Sequence, residues 1–185
     1  MSRSNLDIEA LLQLCKKGDK VAQMEVYKRY FKAMYNIAVR IVHDPYEAED
    51  VLQESFLSAF TKLDSYRGDT TFGAWLKRIV VNNSIYHYRK QQKNDDVPLD
   101  DVMYRVEDND GIDPDHDFKN MKAQKVLETM KTLKDNYRVS LTLHLIEGYD
   151  YEEISEIMGM SYANCRTTIS RAKASLRKKL TEVWT

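Results

Sequence analysis

The sequence is poor in the two residues that most often interrupt helices. Its 185 residues include six glycines and three prolines, whereas 43% are apolar and 31% are charged. So few turn-forming residues favour long helices and argue against a β-fold with many turns. We therefore expect an all-α protein, and the length predicts two small helical domains.

Cysteine is scarce as well, and long apolar runs are missing. The two cysteines, Cys15 and Cys165, have no CxxC or His/Cys spacing around them, so no structural metal is expected. Cys165 is at helical spacing from Ile169, which indicates a core position. No apolar run approaches the roughly 20 residues that span a bilayer, and the first residues lack the apolar core of a secretion signal. We expect a soluble, cytoplasmic protein without direct membrane insertion.

Net charge is also small, at −1 for the whole chain, but the charge is segregated. Residues 94–117 contain ten acids and one base, a net charge of −9, so the rest of the chain carries +8. This stretch includes Pro98, Gly111 and Pro114 and shows little periodicity, which predicts a flexible linker extended by self-repulsion. The domains are thus predicted as 1–93 and 118–185, joined by the acidic linker 94–117.

Helical spacing of apolar residues divides the first domain into four helices. Two are expected over residues 6–43 with a break near Gly18–Asp19, one from Pro45 to about Leu63, and one from about Thr71 to Gln92. Asp44 is a good N-cap in front of Pro45, a favourable first-turn residue. Gly68 and Gly73 are expected to bracket a loop.

The second domain is predicted as a bundle of about four helices that ends in a helix-turn-helix over Tyr151–Leu180. A short helix with Ile154, Ile157 and Met158 on one face is followed by Gly159, where a tight turn needs a positive φ. Met160 then anchors the turn, and Ser161 is the expected N-cap of the next helix.

The second helix of this motif has two faces of opposite character. Cys165, Ile169, Ala172 and Leu176 form the predicted buried stripe. The opposite face carries hydrogen-bonding groups and cations suited to base edges and phosphates: Ala163, Asn164, Thr167, Ser170 and Arg171, flanked by Arg166 and Lys173. Because residues 157–181 contain six bases and no acids, we favour a DNA-binding helix over a merely solvated basic face.

The helix that begins near Pro45 carries an acidic stripe of Glu47, Asp50 and Glu54, with Gln53 beside it, while Ala48, Leu52, Phe56 and Ala59 face inward. By spacing alone this stripe is a solvated surface or a protein-docking surface. A metal site is disfavoured, because no histidine or further acid obviously joins the three carboxylates.

The following helix mixes cations with aromatic residues, a combination that suits single-stranded nucleic acid. The cations are Lys77, Arg78, Arg89, Lys90 and Lys93, and the aromatics are Tyr66, Phe72, Trp75, Tyr86 and Tyr88. Aromatic residues at helical spacing are more often core, so Phe72 and Trp75 are candidates for packing. Arg78, Asn82 and the loop from Tyr66 to Thr70 are the better candidates for a functional role.

Three blocks of the sequence resemble the extracytoplasmic-function group of bacterial sigma factors. They are YEAEDVLQESFLSAF, LDSYRGDTTFGAWLKRIVVNNSIYHYRK, and the tail EGYDYEEISEIMGMS with ISRAKASLRKKL, and they follow the order and spacing of that family. The resemblance implies a subunit that binds core RNA polymerase and directs it to promoters, with no catalysis and no cofactor. It also implies that an anti-sigma factor is a partner.

The resemblance further implies a role for each polar face. Glu47, Asp50, Gln53 and Glu54 would dock on the polymerase clamp helices. The minus-ten promoter element would be captured and melted by Tyr66, Arg67, Thr70, Arg78, Asn82, Arg89 and Lys90. The minus-thirty-five element would be read as duplex by Ser161, Asn164, Arg166, Thr167, Ser170, Arg171 and Lys173.

Four positions depart from the commoner family pattern, namely Tyr86, Tyr162, Ala163 and Cys165, so a promoter sequence cannot be transferred from relatives. A free-standing helix-turn-helix regulator of duplex DNA is the alternative interpretation. A metal-dependent nuclease lacks any HExxH, glycine-rich phosphate loop or nucleophile-histidine arrangement. The segment EDNDGIDPDHD resembles a calcium loop, but Val106 and Asp117 occupy its first and last ligand positions, so we reject a calcium site.

Overall fold

A computed structural model describes residues 3–94 and 114–184 of the chain. The chain divides into two compact units, Met1–Pro98 and Leu99–Thr185. All regular structure within the described residues is helical, so the prediction of an all-α protein with two small helical domains is confirmed. The flexible linker and the calcium-like segment fall mostly on residues 95–113, which lie outside the described residues.

The described part of the first unit, residues 3–94, contains four helices and one short turn of 3-10 helix. They are α1 (Ile8–Lys16), α2 (Lys20–Val42), α3 (Pro45–Thr61), the 3-10 turn Leu63–Ser65, and α4 (Phe72–Asn94). The Asp44 side chain accepts hydrogen bonds from the backbone N–H groups of Tyr46 (2.8 Å) and Glu47 (3.0 Å) and so caps α3 as predicted. Asp19 caps α2 in the same way.

The core of this unit lies between α2, α3 and α4, which pack on one another. Val26, Ile41, Leu76 and Val80 are almost fully buried there. The four residues of α3 predicted to face inward, Ala48, Leu52, Phe56 and Ala59, are buried as well. Burial of one side of α3 fixes which of its polar residues face outward.

The start of α4 at Phe72 agrees with the predicted start at about Thr71, but the prediction that Gly73 closes the preceding loop is wrong. Gly73 was expected to close this loop, but it lies in the first turn of α4. A Cβ at this position would lie 3.1 Å from Cε1 of Tyr30, closer than ordinary packing allows. The absence of a side chain at Gly73 therefore lets α4 pack closely against the Tyr30 ring. This packing offsets the conformational-entropy cost of a glycine inside a helix.

Within residues 114–184, the second unit has four helices and a short π-helical segment. They are α5 (Pro114–Lys131), α6 (Asp135–Leu141), the π-helical segment Thr142–Ile146, α7 (Tyr151–Met158) and α8 (Tyr162–Trp184). Helix α5 begins at Pro114, inside the stretch predicted as linker, and proline is well suited to a first helical position. Leu141, Leu143, Ile154 and Ile169 are fully buried and form the centre of this unit.

Both cysteines are free thiols inside these two cores, Cys15 on α1 and Cys165 on α8. The prediction that Cys165 is a core residue is therefore confirmed. Of the helices that the structure describes, none is both long and apolar enough to cross a membrane.

Candidate polymerase and nucleic-acid interfaces

The outward side of α3 is a stripe of polar residues with an apolar residue at each end. Asp50 and Gln53 are exposed in the middle of the stripe. Tyr46, 81% exposed, and Leu57, 70% exposed, lie at its two ends. Sequence reasoning identified the polar residues and missed these two, although their spacing of three to four residues from the acidic stripe places them on the same face.

The carboxylates of Glu47 and Glu54 are joined by a histidine from the neighbouring helix. Nδ1 of His87, on α4, lies 2.8 Å from Oε2 of Glu47, and its Nε2 lies 2.8 Å from Oε2 of Glu54. The side chain of His87 is only 10% exposed, whereas those of Glu47 and Glu54 are 38% and 58% exposed. The expectation that no histidine joins these carboxylates was wrong, because helix packing brings in a residue distant in sequence.

This arrangement determines the protonation of His87. Burial lowers the pKa of the imidazole, but the hydrogen bonds and negative charges of Glu47 and Glu54 outweigh burial, and the pKa is raised above its ordinary value. Both ring nitrogens are occupied by these bonds, so the ring is not arranged as a metal ligand. In residues 3–94 and 114–184 no group of three His, Cys, Asp or Glu side chains is placed to hold a metal ion.

A second surface lies along α4, where cations and aromatic residues had been predicted together. Packing divides the aromatics, since Phe72 and Tyr88 are buried while Tyr86 is 66% exposed. On a helical wheel Arg78, Asn82, Tyr86, Arg89 and Lys90 fall within an arc of about 120°, and all five are exposed. Tyr86 was predicted as one of these aromatic residues but not as a site residue, and its exposure places it beside Arg78, Asn82, Arg89 and Lys90.

The Asn82–Asn83 pair is also divided. Nδ2 of Asn83 donates a hydrogen bond to Oγ of Ser55, at 3.0 Å, and so ties α4 to α3. Asn82 is exposed on the cationic side of α4. The structure thus assigns Asn83 to helix packing and leaves Asn82 accessible to a partner.

The loop before α4 is held in shape by Tyr66. Its hydroxyl donates to the backbone oxygen of Thr70 at 2.7 Å, and its ring contacts those of Phe72 and Trp75 at centroid distances of 5.7 and 5.4 Å. Gly68 has a φ of 78°, which glycine adopts without strain. Arg67 and Thr70 are exposed in this loop, so the loop presents both residues on a defined backbone.

The helix-turn-helix forms as the sequence predicts. Asp150 and Glu153 make a reciprocal capping box at the start of α7. Gly159 ends this helix in the left-handed conformation, with φ 62° and ψ 38°. Ser161 then caps α8, because its Oγ accepts a hydrogen bond from the backbone N–H of Asn164 at 3.2 Å.

Helix α8 buries one side and exposes the other. The predicted stripe of Cys165, Ile169, Ala172 and Leu176 is buried. A shallow groove on the opposite side is lined by Ala163, Arg166, Thr167, Ser170 and Arg171. No described residue forms an ion pair with Arg166, Arg171 or Lys173, so these cations are available to an external anion.

The first residue of α8 contributes an aromatic ring beside this groove. Tyr162 is 47% exposed, and its ring centroid lies 6.4 Å from that of Tyr151 at the start of α7. The Tyr151 ring in turn contacts His144, at a centroid distance of 4.9 Å. Tyr162 directly precedes Ala163, which lines the groove, and both positions depart from the commoner family pattern.

Comparison with known proteins identifies the family. The sigma-70 region 2 family matches residues 26–94, and the sigma-70 region 4 family matches residues 123–176. The chain is 31% identical over 183 residues to the RNA polymerase sigma-H factor of Pseudomonas aeruginosa, covering 93% of each chain. It is also 31% identical to the ECF RNA polymerase sigma factor SigW of Bacillus subtilis, covering 95% of this chain and 98% of that one.

The chain is an extracytoplasmic-function sigma factor. Members of this family are transcription initiation factors without enzymatic activity, and this sigma factor directs transcription from promoters. The predicted fold class, family and broad function are therefore confirmed. The roles of individual site residues stay predictions.

Solved structures share the fold of this sigma factor. One is the sigma factor RpoE of Bartonella quintana in complex with the anti-sigma factor NepR, with a TM-score of 0.58 and 22% identity over 85% of this chain and 96% of that one. Another is CnrH in complex with the cytosolic domain of CnrY, with a TM-score of 0.52 and 23% identity over 94% and 96% of the two chains.

Proposed function

We propose that this sigma factor uses three separate surfaces in initiation: the outward face of α3 for core RNA polymerase, the cationic face of α4 with its preceding loop for the melted minus-ten element, and the groove side of α8 for the duplex minus-thirty-five element. The observation that carries the proposal is the opposite chemistry of these faces. The first is acidic with apolar ends, and the other two are cationic with hydrogen-bonding side chains.

Polymerase docking is assigned to Glu47, Asp50, Gln53 and Glu54. A carboxylate stripe repels DNA, so a protein partner with a complementary basic surface fits this face better than a nucleic acid does. Tyr46 and Leu57 extend the contact at both ends, because exposed apolar side chains next to a charged patch are typical of protein interfaces.

Capture of the minus-ten element is assigned to α4 and the loop before it. A flipped base costs a few kcal/mol to extract from the duplex, so it needs a formed site with rings and hydrogen-bonding groups. The loop held by Tyr66 presents Arg67 and Thr70. The helix supplies Arg78, Asn82, Arg89 and Lys90, and to these we add Tyr86 as a ring on which an unstacked base can lie.

Duplex reading is assigned to the groove side of α8. Arg166 and Arg171 suit bidentate contacts to guanine or phosphate, while Asn164 suits adenine. Lys173 is expected to contact the phosphate backbone, and Thr167 and Ser170 to lie close to base edges. Ser161 caps α8. The N-terminus of this helix, where phosphate binding is favoured, adjoins the groove side of α8.

We also propose a cytoplasmic location and an anti-sigma partner. A protein that acts on polymerase and promoter DNA must reach both in the cytoplasm. One fold neighbour is the sigma factor RpoE solved in complex with the anti-sigma factor NepR, which supports a search for a comparable inhibitor of this chain.

A reconstituted transcription assay tests the proposal. The purified chain is combined with core polymerase and fragments of its own genome, and transcripts are mapped by sequencing, with core polymerase alone as the control. We expect transcript starts that depend on the added chain and share two sequence elements. Tight sequence-specific DNA binding by the chain alone, without dependent transcripts, would support a free-standing regulator and contradict the proposal.

A further inference from the structure

We propose that His87 is a positioning residue for polymerase docking. Its imidazolium holds the carboxylates of Glu47 and Glu54 in the orientation that the polymerase meets, so docking depends on a proton at a buried histidine behind the docking face. This inference rests on the docking role proposed for α3.

The hydrogen-bond geometry requires a proton on each ring nitrogen of His87. A carboxylate accepts hydrogen bonds and does not donate them when ionised. Both ring nitrogens of His87 lie 2.8 Å from carboxylate oxygens, so both must donate, and only the imidazolium has two N–H groups. A neutral ring would keep one bond and set a bare nitrogen lone pair against the second carboxylate.

The groups that face the ring come from two helices. Helix α3 contributes Glu47 and Glu54, and α4 contributes Tyr86, whose ring makes an edge contact with His87 at 5.9 Å between centroids. Helix α2, the other helix packed on α4, provides no charged group that shifts the ring within residues 3–94. The local balance is one buried cation between two partly exposed anions.

Each carboxylate uses one oxygen for His87 and keeps the other for a partner. Oε2 of Glu47 and Oε2 of Glu54 accept the bonds, and within the described residues the second oxygen of each makes no hydrogen bond. With the residues three and four positions apart, Glu47, Asp50 and Glu54 lie in a row along α3. The bonds therefore fix the two ends of this row while leaving it open to the outside.

Loss of the proton has two opposing consequences. One glutamate regains its rotamer freedom, and freezing a glutamate side chain on binding costs on the order of tenfold in affinity. The face also becomes more negative by one charge, which would strengthen attraction to a basic partner. The partner meets the carboxylate oxygens directly, whereas the imidazolium lies behind them, so we expect the positioning effect to exceed the charge effect.

The experiment measures the affinity of the full chain for core RNA polymerase between pH 6.5 and 9 at constant ionic strength. Wild type is compared with His87→Gln, which has both of its N–H donors on one nitrogen instead of on two ring nitrogens and has no titrating group. His144→Gln is the matched control, because His144 lies in the second unit and contacts the backbone oxygen of Tyr149. Ratios to the His87→Gln value at each pH cancel the titration of the polymerase itself.

Between pH 6.5 and 9, the affinity of wild type for polymerase, divided by that of His87→Gln, should fall on the order of tenfold. The same ratio for His144→Gln should fall equally. An equal pH dependence of wild type and His87→Gln would overturn the inference, and so would tighter binding of wild type at high pH. If no variant binds polymerase at any pH, the proposed docking function itself fails.

A second measurement uses the unmodified chain and does not require a folded His87 variant. Nitrogen-15 NMR of the histidine rings reports whether each ring nitrogen carries a proton. We expect both nitrogens of His87 to be protonated at pH 7, with a titration midpoint that falls in Glu54→Gln. A neutral His87 ring at pH 6.5 would overturn the inference whatever the binding data show.

Discussion

The outward face of α3 and the groove side of α8 differ in how they hold their charged side chains. On α3, Glu47 and Glu54 are bonded to a buried imidazole and keep only part of their freedom. On α8, Arg166, Arg171 and Lys173 form no ion pair with any residue that the structure describes.

This difference matches the two kinds of partner. A protein partner binds in one fixed geometry. Side chains that already have the bound orientation lose less conformational entropy when the complex forms. DNA is first met nonspecifically through its phosphates, and the protein then moves along it until base contacts form. The α8 cations, which have no ion-pair partner among the described residues, suit that search. Glu47 and Glu54, which His87 already holds in place, suit a partner that binds in one orientation.

The largest expected effect comes from reversing the open part of the α3 face. Asp50→Lys combined with Gln53→Lys should weaken polymerase binding on the order of 100-fold, because like charges then face the basic partner. Circular dichroism should stay unchanged, since both side chains are exposed. Asn5→Lys combined with Glu9→Lys makes the same charge change at two exposed residues outside α3 and should bind normally. Retained binding by the double variant would remove α3 from the docking surface.

The next effect concerns one base-reading cation on α8. Arg171→Ala should cost about 1–3 kcal/mol at the minus-thirty-five element, the usual scale of a base contact. Arg177→Ala is the control, because it removes the same cation about 120° away around the helix. Promoter selection from a randomised upstream element measures both. An unchanged base preference in Arg171→Ala would exclude Arg171 from the reading surface.

A smaller effect concerns stability in the first unit. A histidine whose pKa is raised on folding stabilises the fold fully below its unfolded value of about 6.5, and the contribution is lost as the pH rises through the folded pKa. The free energy of unfolding of wild type should exceed that of His87→Gln by about 1 kcal/mol at pH 6 and converge with it by pH 9. Urea denaturation at both pH values checks this. A constant difference would show that the histidine contributes by packing alone.

The smallest effect distinguishes two roles of Ser161. Ser161→Ala should destabilise the second unit by about 1 kcal/mol, through loss of the N-cap of α8. Ser161→Asp keeps a capping oxygen but places a negative charge near the expected phosphates, so it should melt like wild type and bind promoter DNA more weakly. Equal DNA binding by Ser161→Asp and wild type would mean that Ser161 acts on the helix and not on DNA.

Features that depend on neighbours within one helix were predictable from the sequence. The caps at Asp44 and Ser161, the left-handed Gly159 and the buried stripe of α8 follow from residues within four positions of one another. These interactions have fixed spacing in any helix. The same local rules therefore separated the groove side of α8 from its core side without knowledge of the rest of the fold.

Features that depend on packing between helices were not predictable. His87 is separated from Glu47 by 40 residues and from Glu54 by 33, and no spacing rule connects residues on different helices. Tyr86 and Tyr88 look equivalent in sequence, yet only Tyr86 is exposed, because α2 and α3 cover the other side of α4. The role of Gly73 likewise depends on Tyr30 from α2.

The burial of Cys15 and Cys165 has a practical chemical consequence. Burial, helped by the negative charge of Asp19, raises the pKa of the Cys15 thiol to about 11, and burial also raises the pKa of Cys165. At neutral pH the reactive thiolate of Cys15 is then only about one part in ten thousand. Maleimide dyes should therefore react poorly with the native chain. A single cysteine introduced at an exposed site outside α3, such as Glu9, would carry the fluorophore alone, and the chain could be tracked on polymerase without removing either natural thiol.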